Sequence, residues 1–118
     1  MADAEPAAGA TAGTAVVTLP AEIDMANADR VSADLRTAFG PGVTTVVADM
    51  TATTFCDSLG IGALVRAYKQ GAASGAELRL VVPSARVLRV LAILDLDGRL
   101  PIYPSLPDAL AAKPAPNA

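Results

Sequence analysis

Apolar residues in this chain fall into two kinds of run, short continuous blocks and longer stretches with a helical period. Ala15-Val16-Val17-Thr18-Leu19 is a short block stopped by Pro20, which reads as a strand. Val31, Leu35 and Ala38 then recur at helical intervals, with Asn27 placed to cap that helix and Gly40-Pro41 placed to end it. Val43 to Met50 is nearly unbroken in its apolarity and rich in β-branched residues, the pattern of a strand covered on both faces. From Ser58 the period returns to helical: Ile61, Leu64, Val65 and Tyr68 form one stripe, while Arg66, Lys69 and Gln70 turn outward. Gly71 and Gly75 bracket the expected end of this helix.

Leu78 to Val82, closed by Pro83, predicts the next strand. Ser84 caps a helix carrying Val87, Val90, Leu91 and Leu94, with Leu88 and Ile93 outside its main core stripe. Asp95 to Gly98 reads as a turn, Leu100 to Tyr103 as a short strand, and Ser105 to Ala112 as a last helix with Pro107 tolerated in its first turn. The order β-α-β-α-β-α-β-α predicts an α/β domain with a parallel or mostly parallel sheet and helices packed against it. Residues 1 to about 13 and 113 to 118 are rich in small residues and proline and read as tails.

Composition narrows the function classes. The chain has 118 residues, 53% of them hydrophobic, enough for one domain with a buried core. A net charge of −3 and an aromatic fraction of 3% speak against a nucleic-acid partner, which calls for a basic stripe or stacking platforms. There is no histidine, so Ser-His-Asp catalysis, a histidine proton shuttle and a histidine metal site are excluded. One cysteine, Cys56, allows neither an internal disulfide nor a cysteine cluster for zinc, and points to a reducing compartment. The acidic N-terminus lacks the form of a signal peptide, and no apolar run approaches the roughly 18 residues of a membrane span. The expectation is a cytoplasmic, non-enzymatic protein without cofactor, metal or membrane.

Chemistry concentrates at Asp57-Ser58, where a buried strand gives way to a helix. Asp57 is the better-placed cap, which leaves the Ser58 hydroxyl without that task. Gly60 and Gly62 sit in the first turns, where each glycine costs on the order of 1 kcal/mol against alanine; they read as clearing side chains so that a partner reaches the serine. Glu22-Ile23-Asp24 follows the first strand and is placed to lie at the same end of the sheet, with Asp24 able to orient the hydroxyl. Gly60-Ile61-Gly62 fails as a dinucleotide loop because Val65 takes the third glycine's position. Asp95-Leu96-Asp97-Gly98 lacks the later acids of a calcium loop, and Asp49 lacks the companions of a receiver phosphoacceptor. Cys56 reads as a buried structural thiol. Arg86, Arg89 and Arg99 give the third helix region a basic face, to which Leu88 and Ile93 add apolar contacts.

Four segments in order then resemble the STAS-domain anti-sigma factor antagonists. Phe55-Cys56-Asp57-Ser58-Leu59-Gly60-Ile61-Gly62-Ala63-Leu64 is similar to that family's F-[apolar]-D-S-[S/T]-G-L-G-x-L segment. Ala21-Glu22-Ile23-Asp24 is similar to its G-E-[LI]-D, Val46 to Met50 to its V-V-x-D-L strand, and Ile102-Tyr103 through Ala109-Leu110 to its closing strand and helix. The resemblance implies a single STAS domain over residues 14–112, with a four- or five-stranded mixed, mostly parallel sheet and about four helices mainly on one face.

It further implies a regulator whose unphosphorylated form binds an anti-sigma factor, commonly a serine kinase, and so frees a sigma factor. Phosphorylation at the position of Ser58 ends that binding, and a serine phosphatase restores it. Asp24 and Asp57 fall on the family's two acidic positions supporting the phosphosite. Leu59, Gly60, Gly62, Arg66, Leu88 and Arg89 are the residues expected to meet the partner, with the protein itself a monomer or weak dimer. Leu59 stands where the family has a second small hydroxyl, and Ala21 where it has glycine. The competing expectation is a STAS scaffold subunit of a larger assembly, such as a phospholipid transporter of the ATP-binding-cassette type or a stress-signalling particle, with Ser58 structural.

Overall fold

The computed structural model describes residues 13–113. The two expected tails lie outside them apart from Gly13 and Lys113, and both of these are tied into the fold. The Gly13 carbonyl accepts from the Thr44 and Thr45 amides at 2.8 and 3.1 Å, and the Lys113 carbonyl accepts from Arg79 at 3.3 Å.

Strands β1 (Thr14–Thr18), β3 (Thr45–Asp49), β5 (Glu77–Val81) and β6 (Ile102–Tyr103) form one sheet in that order, every pairing parallel. Helices α1 (Ala28–Ala38), α2 (Ser58–Ala73) and α3 (Ala85–Ile93) make the crossovers, and α4 (Leu106–Ala111) follows the last strand. Because each crossover adds its strand on the same side of the one before, right-handed connection puts all three helices on one face. The core records this. Val46, Ala48, Leu78, Leu80 and Val82 pack with Val31, Leu35, Leu64, Val87 and Leu91 of the three helices. No crossover follows α4, which covers the opposite face, where Val47, Val81 and Ala109 are buried together. With both faces covered, the central strands read as continuous apolar runs.

Two short strands were not anticipated. β2 (Glu22–Ile23) and β4 (Phe55–Cys56) pair in parallel as a separate ribbon, Glu22 opposite Phe55 and Ile23 opposite Cys56. Two residues carry no period, so nothing in the local pattern announces them.

Several side chains correct the sequence reading. Asn27 occupies the N-cap of α1, but its side chain makes no cap bond; its Oδ1 accepts from the Asp24 amide at 3.0 Å and its Nδ2 donates to the Glu22 carbonyl at 2.8 Å. Gly71 does not end α2. It is buried inside the helix beneath the Phe39 ring. Gly75, at φ +78°, is the terminator: its amide bonds to Ala72 and that of Ala76 to Gly71, the paired bonds of a left-handed helix stop. Leu94 lies past the end of α3 and is exposed, whereas Leu88, expected outside the core stripe, packs against the main core. Arg99 pairs with Asp95 at 3.4 Å, while among the described residues Arg86 and Arg89 have no carboxylate within ion-pair distance. Among the described residues, no helix is long and apolar enough to cross a membrane.

Candidate functional site

The ribbon lies beyond the C-terminal edge of the main sheet, the end where open α/β folds place their sites. It is anchored from both sides. The Leu19 amide donates to Asp49 at 2.9 Å, continuing the ladder past β1, and the buried Thr53 hydroxyl donates to the Pro20 carbonyl at 2.7 Å. The latter bond satisfies a hydroxyl that burial alone would penalise. Asp49 spends its carboxylate on the amide and hydroxyl of Thr51, so it shapes the turn that leads to β4.

The last bond of the ribbon runs from the Asp57 amide to the Ile23 carbonyl at 3.0 Å. One residue beyond the pair Ile23–Cys56, it brings the backbones of Asp24 and Asp57 to adjoining positions at the end of the ribbon. Each is occupied locally. Asp24 Oδ1 accepts from the Ala26 amide at 2.9 Å, and Asp57 Oδ1 accepts from the Leu59 and Gly60 amides at 3.0 Å each. Asp57 is therefore the N-cap of α2, satisfying two of the amides that a helix start leaves without partners. Ser58 follows as the first helical residue and is exposed; among the described residues its hydroxyl makes no hydrogen bond.

The two glycines after it differ. Gly60 is buried, and a Cβ there would lie 2.6 Å from Cys56 Sγ and 2.7 Å from Ile23 Cγ2. Its bare backbone is what lets α2 sit on the ribbon. The expectation that it clears the way for a partner is corrected to this inward reason. Gly62 points away from the core; among the described residues, its own helix aside, a Cβ there would meet Nη1 of Arg66, at 3.2 Å.

Large apolar side chains are exposed along the ribbon and at the start of α2. Leu59 is 51% exposed, Phe55 on the outer face of the ribbon 41%, and Met25 beyond β2 80%. Met25 and Phe55 were missed by the sequence reading. Their signal would have been large apolar residues within turns that have no helical or strand period to occupy. α3 packs against β4 and brings Leu88 and Arg89 toward this end of the molecule, Leu88 half-buried and Arg89 exposed.

Cys56 is buried beneath Gly60, and its thiol lies 3.8 Å from the Asp57 carbonyl. Burial first, and the charge of Asp57 second, push the thiol up to about 11 from its ordinary 9.0. The unfolded chain ionises this thiol near 9.0 while the folded chain resists until about 11, so the folded state loses stability as pH rises across that interval. Denaturation at pH 8 and pH 10.5 checks it: wild type is expected to lose more stability between the two than Cys56→Ala does. Equal losses would show that the thiol does not titrate with folding.

Among the described residues, no group of histidine, cysteine and carboxylate side chains is arranged to hold a metal ion.

Comparison with known proteins follows the same lines. No curated protein sequence matches the chain. An anti-sigma factor antagonist from Mycobacterium paratuberculosis shares 28% identity and a TM-score of 0.68, covering 90% of this chain and 96% of its own. An anti-sigma-factor antagonist (STAS) domain protein from Planctomyces limnophilus shares 22% identity at TM-score 0.74, covering 85% and 89%. The murine solute carrier 26 family member A9 anion transporter shares 25% identity at TM-score 0.69 over 84% of this chain but 17% of its own. The family model for the STAS domain matches residues 5–109, which span the sheet, the ribbon and Ser58. On that match, this chain belongs to the STAS domain family.

Proposed function

We propose that this protein is an anti-sigma factor antagonist. Its unphosphorylated form binds an anti-sigma factor with serine-kinase activity and releases the sigma factor, and phosphate on Ser58 ends the binding until a serine phosphatase removes it. One observation carries the reading: Ser58 is exposed and, among the described residues, its hydroxyl makes no hydrogen bond, while the neighbouring Asp57 does the capping and Leu59 beside it is exposed. Asp24 and Asp57 support the phosphosite, and Leu59, Gly62, Arg66, Leu88 and Arg89 contribute to the partner surface.

The magnitudes agree with a switch. A phosphate gains about 0.3–1 kcal/mol at a helix start, but at a desolvated interface like charges cost several kcal/mol. A hundredfold loss of affinity needs under about 3 kcal/mol. Leu59 beside the acceptor narrows the choice of kinase to one whose cleft takes an apolar side chain at that position.

The experiment is calorimetric binding to the cognate anti-sigma factor kinase, with intact-mass measurement after ATP is added. Wild type is expected to acquire one phosphate and Ser58→Ala none. Ser58→Ala should bind as wild type, and Ser58→Asp roughly a hundredfold more weakly. Unchanged binding by Ser58→Asp, with no phosphate on wild type, would overturn the reading. That outcome would favour the second one, a scaffold subunit of a larger assembly. The presence of this fold as a small part of an anion transporter chain speaks for that alternative.

A further inference from the structure

We infer that Arg66 is an internal counter-charge for a phosphate on Ser58, drawn back along α2 over Gly62. The inference rests on Ser58 being the phosphoacceptor, as proposed above. It starts from a glycine that packing does not explain. Gly60 and Gly71 each lie against a core side chain, Cys56 and Phe39, that a Cβ would strike at 2.6 Å. Gly62 has no such neighbour, and its φ is not positive. Glycine is the poorest helix former after proline, yet among the described residues, its own helix backbone and chain neighbours aside, an added Cβ here meets Nη1 of Arg66, at 3.2 Å, and no core atom. The guanidinium of Arg66 lies over this bare position.

Ser58, Gly62 and Arg66 follow one another at intervals of four on a single helix face. Helical side chains lean toward the N-terminus, and neighbours four apart have Cβ atoms about 5–6 Å from each other. A guanidinium resting on Gly62 is therefore one turn from Ser58 and directed at it. Three phosphate oxygens on Ser58 reach into that turn, where the planar donor fork of arginine matches them. Arg66 is exposed, and among the described residues it has no carboxylate within ion-pair distance, so its donors are uncommitted.

The other charged groups nearby differ in sign or position. Asp57 and Asp24 at the ribbon end oppose a phosphate. α1, which packs on α2, brings Asp29 and the Arg30–Asp34 pair, and Lys69 lies further along α2. α3, packed on β4, carries Arg86 and Arg89. Phosphorylation thus has a second consequence. It adds an anion to the docking surface and also withdraws a cation from it.

The test uses the full chain with phosphoserine installed at position 58 during translation, read by phosphorus NMR as pH is varied. A nearby cation favours the dianion, so the second ionisation of the wild-type phosphate is expected below the usual value of about 6 by roughly half a unit. Arg66→Gln should raise it above the wild-type value by about that amount. Gly62→Ala keeps the arginine and requires its guanidinium to give by only a few tenths of an ångström, so most of the shift should remain. Both replacements favour helix or leave it unchanged on an open face, so folding is retained. Arg86→Gln combined with Arg89→Gln should leave the shift intact. Identical titration of wild type and Arg66→Gln, or loss of the shift in the α3 double variant, would overturn the inference. No kinase is involved, so failure here is distinct from failure of the phosphoacceptor reading, which the ATP and mass experiment decides.

Discussion

Replacing Arg79 with alanine is expected to lower the stability of the domain by about 3 kcal/mol, the largest effect of any single polar substitution in the fold. Arg79 sits in the central strand β5 at 4% exposure, on the face that α4 covers. Its Nε donates to Glu77 Oε1 at 2.9 Å, Nη1 to the Ala109 carbonyl at 2.7 Å, and Nη2 to the Lys113 carbonyl at 3.3 Å. Alanine would leave the Glu77 carboxylate, whose side chain is only 16% exposed, without its cation. It would also strip the carbonyls at the end of α4 of their donors. α4 has six residues, too few to hold its own shape, and only Ala109 of them is buried. Its attachment combines the apolar contacts of Leu106, Ala109 and Leu110 with the Arg79 clamp and the Ser105 cap. Since a domain of this kind has about 5–15 kcal/mol of stability in all, a loss of this size is measurable as a clear fall in the urea midpoint. Faster amide exchange in α4 should accompany it. A wild-type midpoint in Arg79→Ala would show that the clamp is not what holds the helix.

Gly60→Ala is expected to cost about 1–3 kcal/mol and to weaken partner binding, although it changes no exposed group. The added Cβ collides with Cys56 Sγ and with the β-branched Ile23, whose stiff side chain cannot swing aside. α2 must then lift from the ribbon, taking Asp57, Ser58 and Leu59 with it. Gly62→Ala, two residues on, meets no core atom and is expected to gain up to about 1 kcal/mol from helix propensity. The two thermal midpoints, measured side by side, are the check. If both variants shift upward, the contact between α2 and the ribbon is not as tight as the geometry requires.

These two predictions mark where the sequence stops being informative. The periods of α1, α2 and α3 and the unbroken apolarity of β3 are local signals, and they were legible because burial repeats along each element. The alternating order of elements then entailed the parallel sheet. The Asp57 cap and the exposed hydroxyl after it were also legible, since a cap acts on amides two and three residues away. The ribbon was not, because Glu22–Ile23 and Phe55–Cys56 are too short to show a pattern and find each other across distant loops. Asn27 was placed correctly as the residue before α1, but its side chain turned back to brace the Glu22–Asp24 loop. Arg79 left no trace, because its partners on α4 are backbone carbonyls, which every residue possesses.

Sequence by itself thus determined the order of elements, the α/β architecture and the position of Ser58 at the start of a helix. Each depends on neighbours a few residues apart. Only the tertiary structure decided that Gly60 faces inward and Gly62 outward, that Asp24 stands beside Asp57, that Met25 and Phe55 join Leu59 at the surface, and that a buried arginine holds the last helix. Those facts depend on which distant backbones approach one another, and a local pattern of polar and apolar residues does not encode that.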